Sequence, residues 1–342
     1  MRFLFLPHLE FDLFQNITKN EFTTKIEFIF IITENLQTNE TKKMSEHILK
    51  TGASSILLGG KYYDGYITPK ANKLLKVTKR HKQHDEFKYL STVCTISNYD
   101  KYYIIPDSDS VKIMPTDTFY QHLITLVTED DKKIFGGQLE CHFITFGGNK
   151  DLLDTLRDLV TNQETSIWNS WNDILQFTQK IMSGLGFLHE KKLCHLDIKC
   201  ENIVVNEKTK DFKIIDFGFC SMEPFTDYIS NIRGTPGYFP NSFKQKVPCE
   251  WQPQIYANDM KLVNYKLPMA RDMNLVYKID SFCLGRVIYM MYYVFNEMYF
   301  PYCFCLRKNK KTKNKIYKIY KDLTNNDVWT RITIRDGLTK YF

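Results

Sequence analysis

Short apolar runs separated by turn-forming residues occupy the chain from about position 45 to position 146. Examples are SILLGG, NKLLKVTK, KYYIIP and ECHFITF, which are rich in β-branched, aromatic or other apolar residues and are bounded by glycine, proline or polar positions. Runs of this length and composition are typical of β-strands. The pattern therefore predicts a small region built mainly from strands.

The spacing of apolar residues changes to that of helices from about Asp151 onward. The segment DILQFTQKIMSGLGFLHEKK predicts a helix whose core-facing stripe contains Ile174, Leu175, Ile181, Leu185 and Leu188. Two short strand-like runs, NIVV and FKIIDF, follow it. The apolar run SFCLGRVIYMMYYVF contains Arg286 and is too short to span a bilayer, so it predicts a buried helix.

These patterns together predict an α+β fold with a small β-rich part and a larger, mainly helical part. We expect residues 44–146 to form the β-rich part and residues 147–342 to form the helical part. Residues 1–43 are aromatic-rich and then polar, and we expect them to be an N-terminal extension of unknown role. A chain of 342 residues is long enough to bury a substantial core.

The positive charge of the chain is modest and concentrated in one segment. The formal net charge is +7. Much of it comes from a segment that contains Arg307, Lys308, Lys310, Lys311, Lys313, Lys315, Lys318 and Lys321. Such a block most often forms a solvated face or a loop. The sharper alternatives are a nuclear address, a nucleic-acid contact or a dock for an acidic substrate.

The cysteine pattern and the lengths of the apolar runs limit the classes of protein to which the chain can belong. The nine cysteines are scattered, and no Cys-x-x-Cys pair or Cys/His spacing indicates a zinc site. The apolar run before Pro7 is too short for a secretion signal, and IEFIFIIT is too short to span a bilayer. We therefore expect reduced thiols, no membrane segment and a cytoplasmic location, with the nucleus left open.

Four polar residues at fixed intervals supply the groups that phosphoryl transfer needs. The segment CHLDIKCENIVV contains Asp197, Lys199 and Asn202 just before a strand-like run, and Asp216 follows in IIDFGF. Asp197 is suited to accept a hydroxyl proton, and Lys199 to approach the transferring phosphoryl group. Asn202 and Asp216 offer oxygen ligands of the kind that Mg²⁺ favours. The sequence therefore predicts a base, a cation and two metal ligands at one site.

The order of these motifs resembles that of the protein kinase family. HLDIKCEN followed by DFG is similar to the family's catalytic and metal-binding loops, and GTPGYFP, DSFCLG and DVWTRIT follow in the family's order. The resemblance extends from about position 44 to the C-terminus. It implies a bilobal protein-kinase-like fold with ATP and Mg²⁺ as cofactors. It also implies that Asp197 is the catalytic base, Lys199 the stabilising cation, and Asn202 and Asp216 the metal ligands.

The resemblance further implies a protein substrate and serine/threonine specificity. Lys199 stands two residues after the base, as in serine/threonine kinases. Thr235, in GTPGYFP, would hydrogen-bond Asp197 and Lys199 while shaping the substrate site. The segments IDFGF and RGTPGYFP look like those of kinases of large DNA viruses. This resemblance would place the protein in host cytoplasm or a virion. We expect no specific nucleic-acid partner and no membrane partner, and the oligomeric state stays open.

The same resemblance implies nucleotide-binding residues in the β-rich part. KTGASSILL resembles a reduced glycine-rich loop in which only Gly52 remains. Lys76, in NKLLKVTK, would contact the α- and β-phosphates, with Lys79 as its rival for that role. Glu86 would form the ion pair that holds this lysine.

The segment ITFGGNKDLLDTL resembles the connection between the two lobes of a kinase. Backbone groups from Thr145 to Gly147 would meet adenine. Asp151 would approach the ribose. These positions complete the nucleotide site that the resemblance implies.

Two positions depart from the family pattern. Leu196 replaces the arginine that usually precedes the catalytic Asp and pairs with an activation-loop phosphate, so we expect activity that does not depend on phosphorylation there. Ser242 stands where the family's loop-closing glutamate falls, so Arg331 would lack its usual salt bridge unless Glu250 replaces that glutamate. The reduced glycine-rich loop and the missing loop-closing glutamate favour the alternative of a pseudokinase that acts as a binding or scaffolding module. A small-molecule kinase of related fold is a second alternative.

Other residues near the motifs are interpreted as structural. We expect His195 to pack against Phe217 and His189 to lie at a helix end. Asp280, in DSFCLG, resembles the residue that anchors the backbone near the catalytic loop of kinases.

Overall fold

The structure is a computed structural model that describes part of the chain. The described residues are 50–51, 55–58, 67, 73–79, 87–127, 135, 137–145, 147–148, 150–161, 167–225, 234–235, 238, 274–299, 309–325 and 327–342. The predicted N-terminal extension lies outside them, as do Gly52, Glu86, Ser242 and Glu250.

Strands and helices follow one another in the order that the sequence pattern predicts, with strands dominating first. The strands are β1 (Lys50–Thr51), β2 (Ser55–Leu58), β3 (Lys73–Lys79), β4 (Pro106–Ile113), β5 (Leu139–Thr145), β6 (Lys150–Asp151), β7 (Leu193–Cys194), β8 (Ile203–Asn206), β9 (Asp211–Ile214) and β10 (Ser221–Met222). The α-helices are α1 (Leu90–Cys94), α2 (Thr118–Leu126), α3 (Leu152–Thr161), α4 (Trp171–Glu190), α5 (Asn274–Tyr293), α6 (Lys310–Leu323) and α7 (Ile334–Tyr341). Short 3-10 turns cover Tyr99–Lys101 and Cys200–Asn202, and a π-helical segment covers Val294–Tyr299.

The described residues divide into two compact units. The first contains those up to position 82 and from 106 to 146, and the second contains those from 83 to 105 and from 147 onward. The division after position 146 coincides with the boundary expected from the sequence. Residues 83–105 group with the second unit, whereas the sequence pattern placed them in the β-rich part.

A five-stranded antiparallel sheet, in the order β1-β2-β3-β5-β4, forms the first unit together with helix α2. The predicted strands in SILLGG, NKLLKVTK and ECHFITF are confirmed as β2, β3 and β5. Alternate residues of the sheet and one side of α2 form its core, which includes Ile56, Leu58, Leu75, Val77, Phe119, Tyr120, Leu123, Leu139, Cys141 and Phe143. This alternation is typical of a sheet that is covered on one face.

The strand predicted in KYYIIP is wrong. Its first part belongs to the 3-10 turn Tyr99–Lys101, and β4 begins only at Pro106. Between them, Tyr103 forms an isolated bridge to Ile214, and its hydroxyl donates to the Gly184 carbonyl. These partners belong to β9 and α4, so the apolar and aromatic residues of this segment pack within the second unit.

The second unit is built from helix α1, helices α3 to α7 and two small sheets. The sheets have the orders β6-β8-β9 and β10-β7. Helix α4 begins with a capping box in which Ser170 and Asp173 bond each other's backbone N–H groups. Its predicted core-facing stripe is confirmed by the full burial of Ile174, Ile181, Leu185 and Leu188. Leu175 lies at the edge of this stripe and is half-buried.

Helix α5 is the buried helix that the apolar run predicts, and residues on most of its sides lie in the core. A Cβ atom at Gly285 would lie 2.6 Å from Thr324 Cγ2 and 2.9 Å from Leu323 Cβ. The absence of a side chain there lets α5 approach the end of α6 closely. Among the helices that the structure describes, none combines the length and the apolar character needed to cross a membrane.

Candidate active site

The loop between β7 and β8 is held in place by apolar residues at alternate positions. Leu196, Ile198 and Cys200 are fully buried. Asp197 and Lys199 lie between them in the sequence. A shift of the loop would expose these apolar side chains to water, so their burial fixes the positions of the two charged residues.

Asp197 is the centre of a group of side chains that we call the Asp197 cluster, with Lys199, Asn202 and Thr235 as its other members. Lys199 Nζ lies 2.9 Å from Asp197 Oδ2, and Asn202 Nδ2 donates to the same oxygen at 3.0 Å. Asp197 Oδ1 accepts from the Thr235 hydroxyl at 2.6 Å and from the Thr235 backbone N–H at 3.1 Å. Each carboxylate oxygen of Asp197 thus accepts two hydrogen bonds.

Thr235 links the two charged members of this cluster. Lys199 Nζ donates to Thr235 Oγ1 at 2.8 Å, and the hydroxyl donates its own hydrogen to Asp197. Burial opposes the charge on Lys199, but the attraction of Asp197 and their hydrogen bond outweigh it, so the pKa of Lys199 is raised above its usual value. Lys199 is therefore a cation at neutral pH. The contacts predicted for Thr235 are confirmed.

Asp216 follows strand β9 and is tied to the same loop. Its φ angle is 65°, a left-handed conformation that Asp adopts more readily than most residues. Its Oδ1 accepts from the Gly218 N–H at 3.3 Å. The preceding residue, Ile215, donates its N–H to the Asn202 carbonyl at 3.0 Å. The Ile215 bond ties Asp216 to the loop that contains Asp197, Lys199 and Asn202, and Asp216 also helps to raise the pKa of Lys199, so the structure brings the four predicted polar residues together.

The oxygens of Asn202 and Asp216 fit a magnesium ion. Asn202 uses its amide nitrogen to bond the Asp197 carbonyl at 2.8 Å and the Asp197 carboxylate, so its amide oxygen is the atom that can meet a cation. Asp216 is half-buried and carries hard carboxylate oxygens. Mg²⁺ prefers a few protein oxygens and leaves its other positions to phosphate and water. These two residues would hold it.

A second buried carboxylate, Asp280 on helix α5, holds the backbone that precedes Asp197. Asp280 Oδ2 accepts from the His195 N–H at 2.9 Å, and Oδ1 accepts from the Leu196 N–H at 2.7 Å. His189 Nε2 lies 2.9 Å from Asp280 Oδ2. We call these four residues the Asp280 cluster. They confirm the structural role predicted for Asp280.

The charge of Asp280 is maintained by its neighbours. Burial opposes the ionised form, but the hydrogen bond and the charge of His189, together with His195, lower the pKa of Asp280 below its usual value. Asp280 is fully buried. An ionised carboxylate in this position accepts the backbone N–H groups more strongly than a neutral group would.

Leu196 has the least favourable backbone conformation in the Asp280 cluster. Its φ angle is 65°, which costs about 1–2 kcal/mol for a residue with a Cβ atom. The hydrogen bond from its N–H to Asp280 and the full burial of its side chain offset this cost. A buried leucine presents no charge at the position where the family usually has arginine.

His195 is a core residue, as predicted. Its ring centroid lies 5.3 Å from that of Phe217, and the residue is fully buried. Its Nδ1 accepts from the Asp197 N–H at 3.3 Å, so Nε2 carries the hydrogen and donates to the Ile215 carbonyl at 3.1 Å. This tautomer connects the backbone of Asp197 to the segment that leads to Asp216.

Fewer of the predicted nucleotide-binding residues are described. Lys76 is half-buried in β3, and Thr145 ends β5, where its hydroxyl accepts a hydrogen bond from a lysine of β3 at 3.3 Å. Gly52 and Glu86 lie outside the described residues. The ion pair of Lys76 with Glu86, and the choice between Lys76 and Lys79, therefore stay predictions.

Gly147 and Asp151 have structural roles in the second unit. A Cβ atom at Gly147 would lie 2.0 Å from Ile104 Cδ1, so the end of the Ile104 side chain would have to move to admit one. Asp151 is 5% exposed, and its Oδ1 accepts from the Asp154 N–H at 2.7 Å, which caps helix α3. This cap explains Asp151 without a nucleotide. Its approach to the ribose, like the adenine contacts near Gly147, stays a prediction.

Arg331, just before helix α7, is a buried cation held by backbone oxygens. Its Nε donates to the Asn325 carbonyl at 2.8 Å and its Nη1 to the Lys278 carbonyl at 3.3 Å. Its Nη2 has no hydrogen-bond partner in the part of the chain that the structure describes, and burial lowers the pKa of the guanidinium. Ser242 and Glu250, on which the predicted loss of its salt bridge depends, lie outside that part.

Two functional contacts carry little signal in the sequence. His189 lies in the last turn of α4, as predicted, but it also bonds Asp280 across 91 sequence positions. Asn202 is predicted only as a metal ligand, yet its amide also orients Asp197. The sequence feature that could have indicated the role of His189 is its position in FLHEKK, at the end of the helix that leads directly into the loop containing Asp197.

Comparisons with known proteins agree with this geometry. A family model described as "Protein kinase domain" matches residues 144–342. The calcium and calcium/calmodulin-dependent serine/threonine-protein kinase of Lilium longiflorum is 38% identical over 80 residues, which are 22% of this chain and 15% of that protein. The mitogen-activated protein kinase kinase kinase 1 of Arabidopsis thaliana is 42% identical over 60 residues, which are 18% of this chain and 10% of that protein. The matches thus cover a small part of the length of these curated relatives.

A solved structure, that of the Cydia pomonella granulovirus kinase PK-1, is similar in fold. It aligns with a TM-score of 0.51 at 14% sequence identity, and the alignment covers 86% of this chain and 91% of that chain. The family match and this similarity confirm the predicted α+β fold, with one β-rich unit and one mainly helical unit.

Proposed function

Because the chain belongs to the protein kinase family, we propose that it is an active serine/threonine protein kinase that uses ATP and Mg²⁺. The observation that supports this most strongly is the Asp197 cluster. In it, a buried carboxylate is held by a lysine, an amide and a threonine. A protein that only bound a partner would have no need for these four groups to converge beside Asp216.

Asp197 would act on the hydroxyl of the protein substrate. A carboxylate has about four lone-pair positions, and Asp197 fills them with four hydrogen bonds. The incoming hydroxyl must therefore replace one donor, and we assign this to the Thr235 hydroxyl. The Thr235 backbone N–H keeps Asp197 Oδ1 in place while the hydroxyl turns away. Asp197 then orients the attacking oxygen and accepts its proton.

Lys199 would place a permanent positive charge beside the group that is transferred. Its pKa is raised, so it does not lose its proton to Asp197 at neutral pH. Asn202 and Asp216 would hold Mg²⁺, which neutralises charge on the nucleotide phosphates when it is bound. The position of Lys199 after the base, together with the names of the curated relatives, supports serine/threonine specificity.

A metal-dependent transfer assay tests this function. The full chain is incubated with γ-labelled ATP and generic protein substrates, with Mg²⁺ or with EDTA, and is compared with Asp197→Ala. We expect transfer to serine or threonine that requires Mg²⁺ and is lost in the variant. Transfer that survives both EDTA and the Asp197→Ala substitution would contradict the proposal.

A pseudokinase that acts as a scaffold is the second candidate. Two observations favour it: only Gly52 remains in the predicted glycine-rich loop, and Ser242 stands where the family's loop-closing glutamate falls. This candidate predicts partner binding that is independent of nucleotide, with no transfer in the assay above. The convergence of Lys199, Asn202 and Thr235 on Asp197, beside Asp216, favours the active enzyme.

A further inference from the structure

The solvent-facing side of helix α6 carries a row of lysines that the proposed function does not use. We call Lys310, Lys311, Lys315, Lys318 and Lys321 the lysine face. The opposite side of the helix is packed into the core through Ile316, Ile319, Tyr320 and Leu323. Because this packing fixes the rotation of the helix, the lysines are presented together on one side.

The start of α6 is anchored, so the lysine face is displayed on a rigid element. Asn309 caps the helix by accepting from the Thr312 N–H at 3.2 Å. Asn172, at the start of α4, accepts from the Asn309 side-chain amide at 3.0 Å and from the Thr312 hydroxyl at 3.0 Å. A rigid display lowers the entropy that is lost when a partner binds.

Several of these lysines lie at positions that destabilise their own helix. Lys310 and Lys311 lie in the first turn, where the helix dipole disfavours cations and where no acidic residue is present. Lys315 follows Lys311 by four residues and precedes Lys318 by three, so like charges are neighbours on the surface. Lys321 lies in the last turn, where the dipole favours a cation, so helix stability explains that lysine but not Lys310 and Lys311.

Asp322 is the only acidic residue of α6. It is bonded by Lys340 Nζ at 2.7 Å and by the Tyr341 hydroxyl, and its charge also attracts Lys318. Lys311 and Lys315 form no ion pair with any residue that the structure describes. An anion from outside this part of the chain would relieve their repulsion.

The surroundings of the row favour an acidic peptide over a nucleic acid. Lys315 Nζ lies 4.7 Å from the ring centroid of Phe342, and Lys321 Nζ lies 5.7 Å from that of Tyr317. One face of each exposed ring is thus covered by a lysine and is not open to base stacking. Helix α6 also contains no arginine, the residue that recognises phosphate bidentately.

The spacing of the lysines suits an extended acidic chain. Lys311, Lys315 and Lys318 are separated along the helix axis by about 6 Å and about 4.5 Å. Side chains on one side of an extended peptide recur about every 7 Å. Flexible lysine side chains absorb this difference, so successive lysines can meet alternate acidic residues.

We propose that the lysine face docks an acidic segment of the protein substrate. The identity of the partner as substrate rests on the proposed function, whereas the binding of an acidic peptide does not. A membrane surface fits less well, because an interfacial helix exposes a broad apolar side and α6 buries its apolar side in the core.

Direct binding tests the docking surface without catalysis. A fluorescein-labelled octaglutamate peptide is titrated with the full chain in the absence of nucleotide. The test variant is the triple substitution Lys311→Gln, Lys315→Gln and Lys318→Gln, which removes charge while keeping side-chain length and helix propensity. The matched control replaces three exposed lysines elsewhere, Lys101, Lys112 and Lys208, with glutamine. We expect about tenfold weaker binding in the test variant and little change in the control.

The same proteins are compared in a transfer assay with two substrates, a generic serine/threonine peptide and that peptide with an octaglutamate tail. We expect the test variant to raise the KM of the tailed substrate about tenfold with kcat unchanged, and to leave the untailed substrate unaffected. Its thermal unfolding midpoint should stay close to that of the wild type, because the relief of like-charge repulsion offsets the lost contact of Lys315 with Phe342.

Several results would overturn the proposal. One is equal octaglutamate binding by the test and control variants. Another is tighter binding of an oligothymidylate, or of vesicles with equal parts phosphatidylcholine and phosphatidylserine, that is lost in the test variant while the peptide does not bind. Because the binding titration contains no nucleotide, an enzyme that fails to transfer phosphate would overturn the proposed function without touching the docking surface.

Discussion

The Asp197 cluster and the Asp280 cluster are both built around a buried aspartate, but the two carboxylates bond different kinds of donor. Asp197 is bonded by three side chains and one backbone N–H, whereas Asp280 is bonded by two backbone N–H groups and one histidine. A side-chain donor can turn away and be replaced by a substrate group. A backbone donor cannot leave without moving the loop. Burial alone therefore does not distinguish the carboxylate that we propose to react from the one that supports the loop, whereas the kind of donor does.

The largest effect on activity is expected from removing the cation of the Asp197 cluster. Replacing Lys199 with methionine should lower kcat by about 10²–10³-fold, because the charge that stabilises the transferring group is lost. Steady-state transfer from γ-labelled ATP measures this. Lys199→Arg is the control, since it keeps a charge with altered geometry and should retain more activity. Equal rates for the wild type and Lys199→Met would remove Lys199 from the reaction.

The largest effect on stability is expected in the Asp280 cluster. Asp280→Ala leaves the His195 and Leu196 N–H groups and His189 without their acceptor, and should lower the free energy of unfolding by about 3–5 kcal/mol. Denaturant unfolding followed by fluorescence measures the loss. The control Asp322→Ala removes a surface ion pair with Lys340 and a hydrogen bond from Tyr341, and should cost much less than Asp280→Ala. Similar losses in the two variants would show that Asp280 supports the fold no more than a surface carboxylate does.

A smaller effect on activity is expected at Thr235, which bridges Lys199 and Asp197. Thr235→Ala should lower kcat about tenfold, because Lys199 loses the hydroxyl acceptor that holds its ammonium group beside Asp197. Thr235→Ser keeps the hydroxyl and should restore most of the activity. If the serine variant were as slow as the alanine variant, the methyl group and not the bridge would be the important feature.

The stability of the protein should depend on pH through Asp280. The folded-state pKa of this carboxyl is lowered from a usual value of 3.8, so its stabilising contribution is fully present above that pH and is lost as the pH falls through the folded pKa. The difference in unfolding free energy between the wild type and Asp280→Asn should therefore shrink below about pH 4. Denaturant unfolding at several pH values measures it. A difference that grows in acid would contradict the lowered pKa.

The smallest effect is expected from removing phosphate. The buried Leu196 offers no positive charge to an activation-loop phosphate. Treatment of the purified kinase with a phosphatase should therefore change kcat by less than about twofold, since no arginine at this position is available for charge-assisted bonds. A phosphorylated substrate protein serves as the control that the phosphatase is active. A large drop in activity would show that another residue reads a phosphate.

Most of the Asp197 cluster could be predicted from the sequence because its parts are close together along the chain. Asp197, Lys199 and Asn202 lie in one short segment, and Thr235 belongs to the recognisable sequence motif GTPGYFP. The Asp280 cluster is harder to predict, because His189 and Asp280 are 91 positions apart and no local pattern connects them. Only the resemblance of DSFCLG to a kinase motif indicated that Asp280 is structural.

The fold could be predicted where a segment's composition and its partners agree. The apolar stripe of α4 and the alternation of β3 and β5 are such cases. KYYIIP has the composition of a strand, but its backbone partner is Ile214 of the second unit, so tertiary contacts override its preference. The capping role of Asp151 could not be predicted either, because an Asp before a helix can serve equally as a cap or as a ligand.

The most direct test of the role of Asp197 is a single-turnover transfer measurement with Asp197→Asn, with nucleotide binding and thermal unfolding measured on the same preparation. The asparagine keeps the size of the side chain but cannot accept the proton. A general base at this position predicts a rate that falls by about 10²–10⁴-fold, with nucleotide affinity and the unfolding midpoint close to those of the wild type. Transfer at the wild-type rate by Asp197→Asn would contradict it.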